Sequence, residues 1–415
     1  MDCDPLRQLW KYPDQLVWFK EWTIQQASYI PVNKPPFTLG VNASEWIIDL
    51  ERPVNILNSI YTRPRSVGEI RSEIIMHLGH YISLPLHLIF VEDVPHITKL
   101  SRSTQKIWEL MKTLVEAFGF HWHTAPIYAI TELAHMNKLG FVHAIITDDF
   151  RTFLYGADML IGRLTFTPDT LNHTGASIYQ LKSGLSCSSL ILIHLLCGHA
   201  HLFGNTGWSI EKALEAVRCG HDDQLCDSYQ QFSPADFIAF CPIFRAELEA
   251  INDVPRLSSS FPAGDILATL LSPTVSSKHV LSLQLNTYRG YTFPRAHLLA
   301  NILKGTALMD TSIHMSICQG LALRLLLDCR DVPWGLRNSL AWSIKHFEPF
   351  PEDIIRTFNI VTTRITVNPE AMNTMWMELT GGLVNEIILG EYSHTFALPV
   401  ILLRDVPSYI ITRLV

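Results

Sequence analysis

The chain has 415 residues, enough for two domains and a sizeable buried core. Hydrophobic residues make up 48% and charged residues 17%, a balance that excludes a disordered chain. The formal net charge is -7, from 32 Lys and Arg against 39 Asp and Glu. That balance excludes nucleic-acid binding by bulk charge, so any DNA contact requires a local basic patch.

The opening Met-Asp-Cys-Asp-Pro is polar and acidic, so no signal peptide is expected. Phe37–Val41 predicts a strand, followed after Asn42-Ala-Ser44 by a helix. Leu86–Val91 predicts a second strand, ending at Glu92-Asp93. From Gln105 to Phe118, Ile107, Leu110, Met111, Leu114, Val115 and Phe118 recur at helical spacing. Phe141–Ile146 predicts a third strand, stopping at Thr147-Asp148-Asp149. Strands alternating with helices predict an α/β domain with a mainly parallel sheet. Asn42, Asp93 and Asp149 all fall just past a strand's C-terminal end, the edge where ligands bind in open α/β sheets. The same residue types also suit helix N-caps.

From Leu185 onward the pattern turns helical. The apolar run Ser189–Cys197 is far short of the roughly 20 residues a membrane span needs, so a soluble intracellular protein with no membrane partner is expected. Ser209–Arg218 predicts a helix behind a Gly-Asn-Thr-Gly turn at Gly204–Gly207. Asn252–Ser260, with Pro255 and a serine run, reads as a linker. Beyond Phe347 lies a mixed tail with strand-like pieces at Thr363–Val367 and Ala397–Leu403. The eight cysteines form no CxxC pair and read as reduced, mostly buried thiols.

Five segments, in order, resemble the XPG/flap-endonuclease family, in particular its fungal Gen-type Holliday-junction resolvase-like branch. Leu39-Gly-Val-Asn-Ala-Ser-Glu-Trp46 is similar to the family's LGVDASIW. Leu84–Pro95 is similar to the stretch ending FVFDGP. Phe118–Pro126, continuing to Glu132-Leu-Ala134, resembles FGxxWxxAPGEAEAELA, and Gly140–Ala157 resembles GVVDAVLTDDVDTFLFGA. Gly184-Leu185 through His201, with Gly204–Ala213, resembles the GGDY and helix-hairpin-helix segment. Order and spacing hold over about residues 37–225, with weaker similarity to about 345.

The resemblance implies a PIN-like (FEN-like) nuclease core over 1–185, with XPG-N-like 1–100 and XPG-I-like 118–163 regions. A helical region over 186–345 would follow, with a helix-hairpin-helix remnant at 198–225, then a tail over 346–415 of unknown role. It also implies Mg²⁺-dependent cutting of branched DNA and a nuclear location. Two divalent metals would generate the attacking hydroxide and stabilise the leaving oxygen, held by seven acidic residues. In this chain the N-terminal Asp of that set is Asn42, the Asp of FDG is retained as Asp93, and the two Glu of GEAE fall on Tyr128 and Ile130. The first Asp of the DxD pair is retained as Asp149, its partner is Arg151, and the Asp of GGDY is Ala200. Two of seven carboxylates remain, Asp93 and Asp149, as the only carried-over catalytic and metal-binding residues.

Arg151 places a cation where a metal would sit, and like charges about 4 Å apart repel by roughly 4 kcal/mol at a surface dielectric. Pairing of Arg151 with Asp149 or Asp93 is the expected alternative, with no cofactor held. Glu92, Glu132 and Asp148 are nearby acids that could compensate but read as solvated or capping, with Asp148 directed away from Asp149. The pairs His121/His123 and His199/His201 have a spacing that can grip zinc, without a third ligand. For nucleic acid, the candidates are Lys99, Arg102 and Lys106, and the backbone of Gly204 and Gly207, beside Ser209 and Glu211. The leading reading is a pseudonuclease that keeps the scaffold and binds branched DNA or protein partners. The alternatives are an active nuclease with an altered metal site, using Mg²⁺, and a protein–protein scaffold with no nucleic-acid role.

Overall fold

The computed structural model describes residues 5–30, 37–52, 54–55, 62–82, 84, 86–94, 102–162, 164, 174–198, 208–251, 254–286, 344–349, 362–367 and 394–399. Its first part is a seven-stranded sheet flanked by helices. The strands are β1 (Gln15–Trp18), β2 (Thr38–Asn42), β5 (His87–Glu92), β6 (His121–Thr124), β7 (Ala144–Ile146), β8 (Met159–Ile161) and β9 (Gly175–Gln180). A short pair, β3 (Val54–Asn55) and β4 (Thr62–Arg63), stands apart. The sheet order is β1-β9-β8-β7-β2-β5-β6. The five strands from β8 to β6 run parallel, and β9 and β1 close one edge antiparallel.

Helix α1 (Pro5–Leu9) precedes the sheet; parallel strands need crossovers, and α2 (Phe19–Tyr29), α3 (Ala43–Glu51), α4 (Val67–Ile82), α5 (Arg102–Ala117) and α6 (Ala129–Lys138) lie among the strands in sequence. Every residue of β2 and β5 is buried, as strands covered on both faces must be. Side chains alternate between two cores: Leu88 and Phe90 join Trp46, Ile74, Leu114 and Trp122, while Ile89 and Val91 join Leu133, Phe153 and Leu192. Gly40 sits where α6 presses on β2. A Cβ there would lie 2.5 Å from Leu133 Cδ2, so the strand needs glycine at that point.

The third predicted strand is shorter than the apolar run. Phe141 and Val142 instead give their N–H groups to the Met136 carbonyl, wrapping the chain around the end of α6. The helix predicted from Gln105 starts earlier, at Arg102.

A helical region follows: α7 (Cys187–Cys197), α8 (Ile210–Arg218), α9 (His221–Gln231), α10 (Pro234–Glu249), α11 (Gly264–Leu271) and α12 (Lys278–Asn286). Ser186 and Ser189 form a capping box at the start of α7, and Ser189 also bonds Asp222 at 2.6 Å. Two readings are corrected here. Asn252–Ser260 is not a free linker over its described part: Leu257 is buried, its N–H bonds Glu249 at 2.7 Å, and Trp208 Nε1 bonds the Pro255 carbonyl at 3.2 Å. Of the five described cysteines only Cys226 is buried, and Cys219 is exposed, because helix-surface positions carry the others. Among the described residues no helix is long and apolar enough to cross a membrane. The described tail is a three-stranded antiparallel sheet, β10 (Ile344–Pro349), β11 (Thr362–Val367) and β12 (His394–Pro399).

Candidate functional site

Asn42, Asp93 and Asp149 stand along one edge of the sheet, because Asn42 is in register with Val91 of β5 and Val41 with Ile146 of β7. Each of the three accepts a bond from a helix start. Asn42 Oδ1 accepts from the Glu45 N–H at 3.2 Å and caps α3. Asp93 Oδ1 accepts from the Ala129 N–H at 2.6 Å at the start of α6, and its own N–H donates to Ser44 Oγ at 2.9 Å. Asp149 caps the 3-10 turn Phe150–Tyr155 through the Arg151 N–H at 3.0 Å.

Arg151 folds back on the residue that caps its own turn. Its Nε lies 2.9 and 3.1 Å from the two Asp149 oxygens and its Nη2 2.5 Å from Oδ2. The pair is a fork-to-fork contact with half of the guanidinium still open to solvent. Tyr155 lies beside it. Burial pushes that phenol's pKa up, Arg151 pulls it back, and Asp149 and Tyr128 add to the rise, so these four side chains share one electrostatic neighbourhood. Tyr128 is exposed in front of α6 and Ile130 is half-buried in its first turn.

An acid that the sequence reading passed over sits in the middle. Glu45 accepts from Thr147 Oγ1 at 2.6 Å and from the Asp148 N–H at 3.1 Å. Burial raises its pKa above the ordinary carboxylate value, and the nearby charges of Asp148 and Asp149 add to the rise, against the lowering bonds of Thr147 and Asp148. The only local signal was an acidic residue three positions after the capping Asn42. Asp148 is half-buried, with Oδ1 facing Gly162 at the end of β8.

Two of the three compensating acids are corrected from solvated to buried. Glu132 is fully buried and bridges His123 Nε2 at 2.8 Å and the Ser276 N–H at 2.9 Å. Burial raises its pKa, but those bonds outweigh it and hold the carboxyl below its ordinary value. Glu92 is buried under Trp108 Nε1 and accepts from Thr124 Oγ1 at 2.5 Å. Both are spent on partners inside the fold. His123 is likewise directed at Glu132, and His121 is one strand pleat away. Among nucleic-acid candidates, Arg102 begins α5 and Lys106 is exposed on it. Lys99, His199, Ala200, His201, Gly204 and Gly207 lie outside the described residues.

The donor set does not fit two divalent cations as arranged. Both oxygens of Asp149 face a guanidinium, both of Glu45 face hydrogen-bond donors, and one of Asp93 faces a helix N–H. The cleft beside Asn42 and Glu45 has mainly apolar walls, including Val41, Trp46, Ile146 and Leu164, whereas Mg²⁺ keeps several waters. Among the described residues no three His, Cys, Asp or Glu side chains group as a metal site.

The XPG I-region family model matches residues 119–200, the stretch that carries β6, α6, β7 and the Asp149 turn. The flap endonuclease 1 of Methanocaldococcus jannaschii is 28% identical over 134 residues, 32% of this chain and 40% of that protein's length. Over this stretch the chain is similar to the XPG I-region of flap endonucleases, and it spans less than half the length of the curated relatives it matches. In fold, the chain is like a eukaryotic junction-resolving enzyme GEN-1 binding with caesium, at TM-score 0.71 and 17% identity over 98% of each chain. It is also like the Holliday junction-resolving enzyme GEN1 in complex with product DNA and an Mg²⁺ ion, at TM-score 0.65 and 17% identity over 96% of this chain and 95% of that one. The described fold, a mostly parallel sheet followed by helices, resembles the PIN-like fold of these enzymes.

Proposed function

We propose that this chain is an XPG/flap-endonuclease family member that has lost strand cleavage and acts by binding, either to branched DNA or to protein partners. One observation carries the reading: the Arg151 guanidinium forks onto Asp149, one of the two retained carboxylates of the family's metal set. A metal at Asp149 has to displace that guanidinium and then sit beside it. Binding of branched DNA is supported by the GEN1-like scaffold and by the half-open guanidinium at the sheet edge. Lys99, Arg102 and Lys106, and the Gly204–Gly207 turn, are the proposed phosphate contacts. The proposed organisation is a nuclease core over 1–185, a helical region with a helix-hairpin-helix remnant over 186–345 and a separate tail over 346–415, in a nuclear protein.

A second reading, cleavage through a rebuilt acidic site, is favoured by Glu45, whose charge couples to both Asp148 and Asp149. Labelled 5′-flap and four-way-junction DNA, titrated with purified protein in Mg²⁺ and run on native and denaturing gels, separates the two. The expected result is a mobility shift of the junction without cleavage. Cleavage abolished by both Asp149→Ala and Glu45→Gln overturns the proposal and assigns the rebuilt site. Neither shift nor cleavage from folded protein at low salt leaves protein partners as the function.

A further inference from the structure

Helix α10 is apolar on two opposite faces. One face buries Phe237, Phe244 and Leu248 in the core. The other carries Ala235, Ile238, Ala239, Pro242, Ile243 and Ala246, all exposed, with Ile238 at 72% and Ile243 at 61%. Their spacing of three and four places them in one stripe down the outside of a 16-residue helix. Scattered surface isoleucines need no explanation, whereas a continuous stripe marks a contact surface.

Two features state what the stripe accepts. The flank beside Ile243 is acidic, with Asp236 and Glu247, the latter also accepting from Gln224 Nε2 at 2.8 Å, and Glu249, bonded to the Leu257 N–H, lies at the C-terminal end. The one basic residue of the helix, Arg245, is turned to the Phe261 carbonyl at 2.6 Å. In addition, Pro242 brings no N–H to the Ile238 carbonyl one turn back, so a backbone acceptor is left on the stripe. Acidic flanks repel DNA phosphates and an anionic membrane. They also repel a second copy of the same face. A single convex helix with ridges at helical spacing is the shape that another helix packs against.

We propose that the outer face of α10 docks an amphipathic helix of a protein partner, with an apolar stripe flanked by Lys or Arg. The partner's apolar residues cover Ile238 and Ile243 and its cations meet Asp236, Glu247 and the Ile238 carbonyl. The inference goes beyond the reading above and does not depend on whether DNA is cut.

The test titrates the full chain into a fluorescent helical peptide of about 18 residues, roughly the length of the face, with a Leu stripe flanked by Lys. A Glu-flanked version and a scrambled Lys version serve as controls. Binding of the Lys-flanked peptide is expected, weakened on the order of tenfold by Ile238→Ala with Ile243→Ala. Ile238→Asp with Ile243→Asp abolishes it, although those changes add negative charge that would strengthen attraction by charge alone. Equal binding of the scrambled or Glu-flanked peptide, or undiminished binding to the Asp variant, overturns the proposal. A concentration-dependent dimer that the Asp variant breaks overturns it in favour of a second copy. Loss of fold in the Ala variant overturns it in favour of the chain's own core.

Discussion

Glu132 gives the sharpest energetic prediction, because it is a fully buried carboxylate that ties α6 to neighbouring β6 and to one segment far along the chain. Its oxygens reach His123 on β6 and the Ser276 N–H, 144 residues away in sequence. Glu132→Ala strands a buried imidazole nitrogen and a part-buried backbone donor. Breaking a buried pair by removing one partner costs about 3–5 kcal/mol. Glu132→Gln keeps the shape: its carbonyl oxygen accepts from Ser276 and its NH₂ donates to an unprotonated His123 nitrogen, so the cost is about 1 kcal/mol. The carboxyl is held below its ordinary value in the folded chain. A depressed folded-state pKa contributes stability that is present above the unfolded value, about 4.3, and is lost as pH falls through the folded value. The gap between wild type and Glu132→Gln therefore narrows below about pH 4. Urea unfolding followed by tryptophan fluorescence, at pH 7 and at pH 4, measures all three chains, and hydrogen exchange at Ser276 reports the local bond. An Ala variant within about 1 kcal/mol of wild type refutes the reasoning, since no buried partner would then have been stranded.

Further outcomes follow from the same geometry. Arg151→Ala costs under about 1 kcal/mol in thermal or urea unfolding, because the guanidinium is half-exposed and water screens the pair. Glu45 has the opposite sign from Glu132: its raised folded-state pKa contributes stability below about pH 4.3 that is lost as pH rises, so Glu45→Gln gains on wild type between pH 4 and pH 7 in melting temperature. Asp93→Ala loses the cap on the Ala129 N–H and costs about 1 kcal/mol, while Asp93→Asn keeps an acceptor and costs less, read by urea midpoint. Gly40→Ala drives a Cβ to 2.5 Å from Leu133 and costs about 1–3 kcal/mol in the same measurement.

What the sequence made legible follows from the range of the interactions concerned. The strands ending at Asn42, Asp93 and Asp149 could be read because an apolar run and its polar stop are adjacent in the chain. Arg151 could be matched to Asp149 because the two are only two positions apart. Glu45 was passed over because its partners, Thr147 and Asp148, come from a strand end about a hundred residues later. Glu132 reads from sequence as solvated or capping because its role depends on Ser276, which periodicity on α6 cannot reveal. The same holds for Leu257, where a proline and a serine run imitate a linker while Glu249 and Trp208 bind the segment down.

The pattern of kept and lost acids in the family's metal set can also be argued from local structure. Asp93 and Asp149 each hold a helix start, so removing either has a folding cost independent of any metal. Asn42, which the resemblance aligns with an Asp, offers the oxygen that caps α3 without a charge. Tyr128 precedes α6 without a side-chain cap, and Ile130 lies within its first turn, so the described fold draws no such bond from these positions. Under the proposed function, acceptors are kept where helix starts need them, and charge is lost at positions 42, 128 and 130 that the resemblance aligns with metal ligands. A site maintained for cations would show the reverse bias, with charge kept at 42, 128 and 130 and no guanidinium on Asp149. That contrast is the physical basis for reading the edge as scaffold.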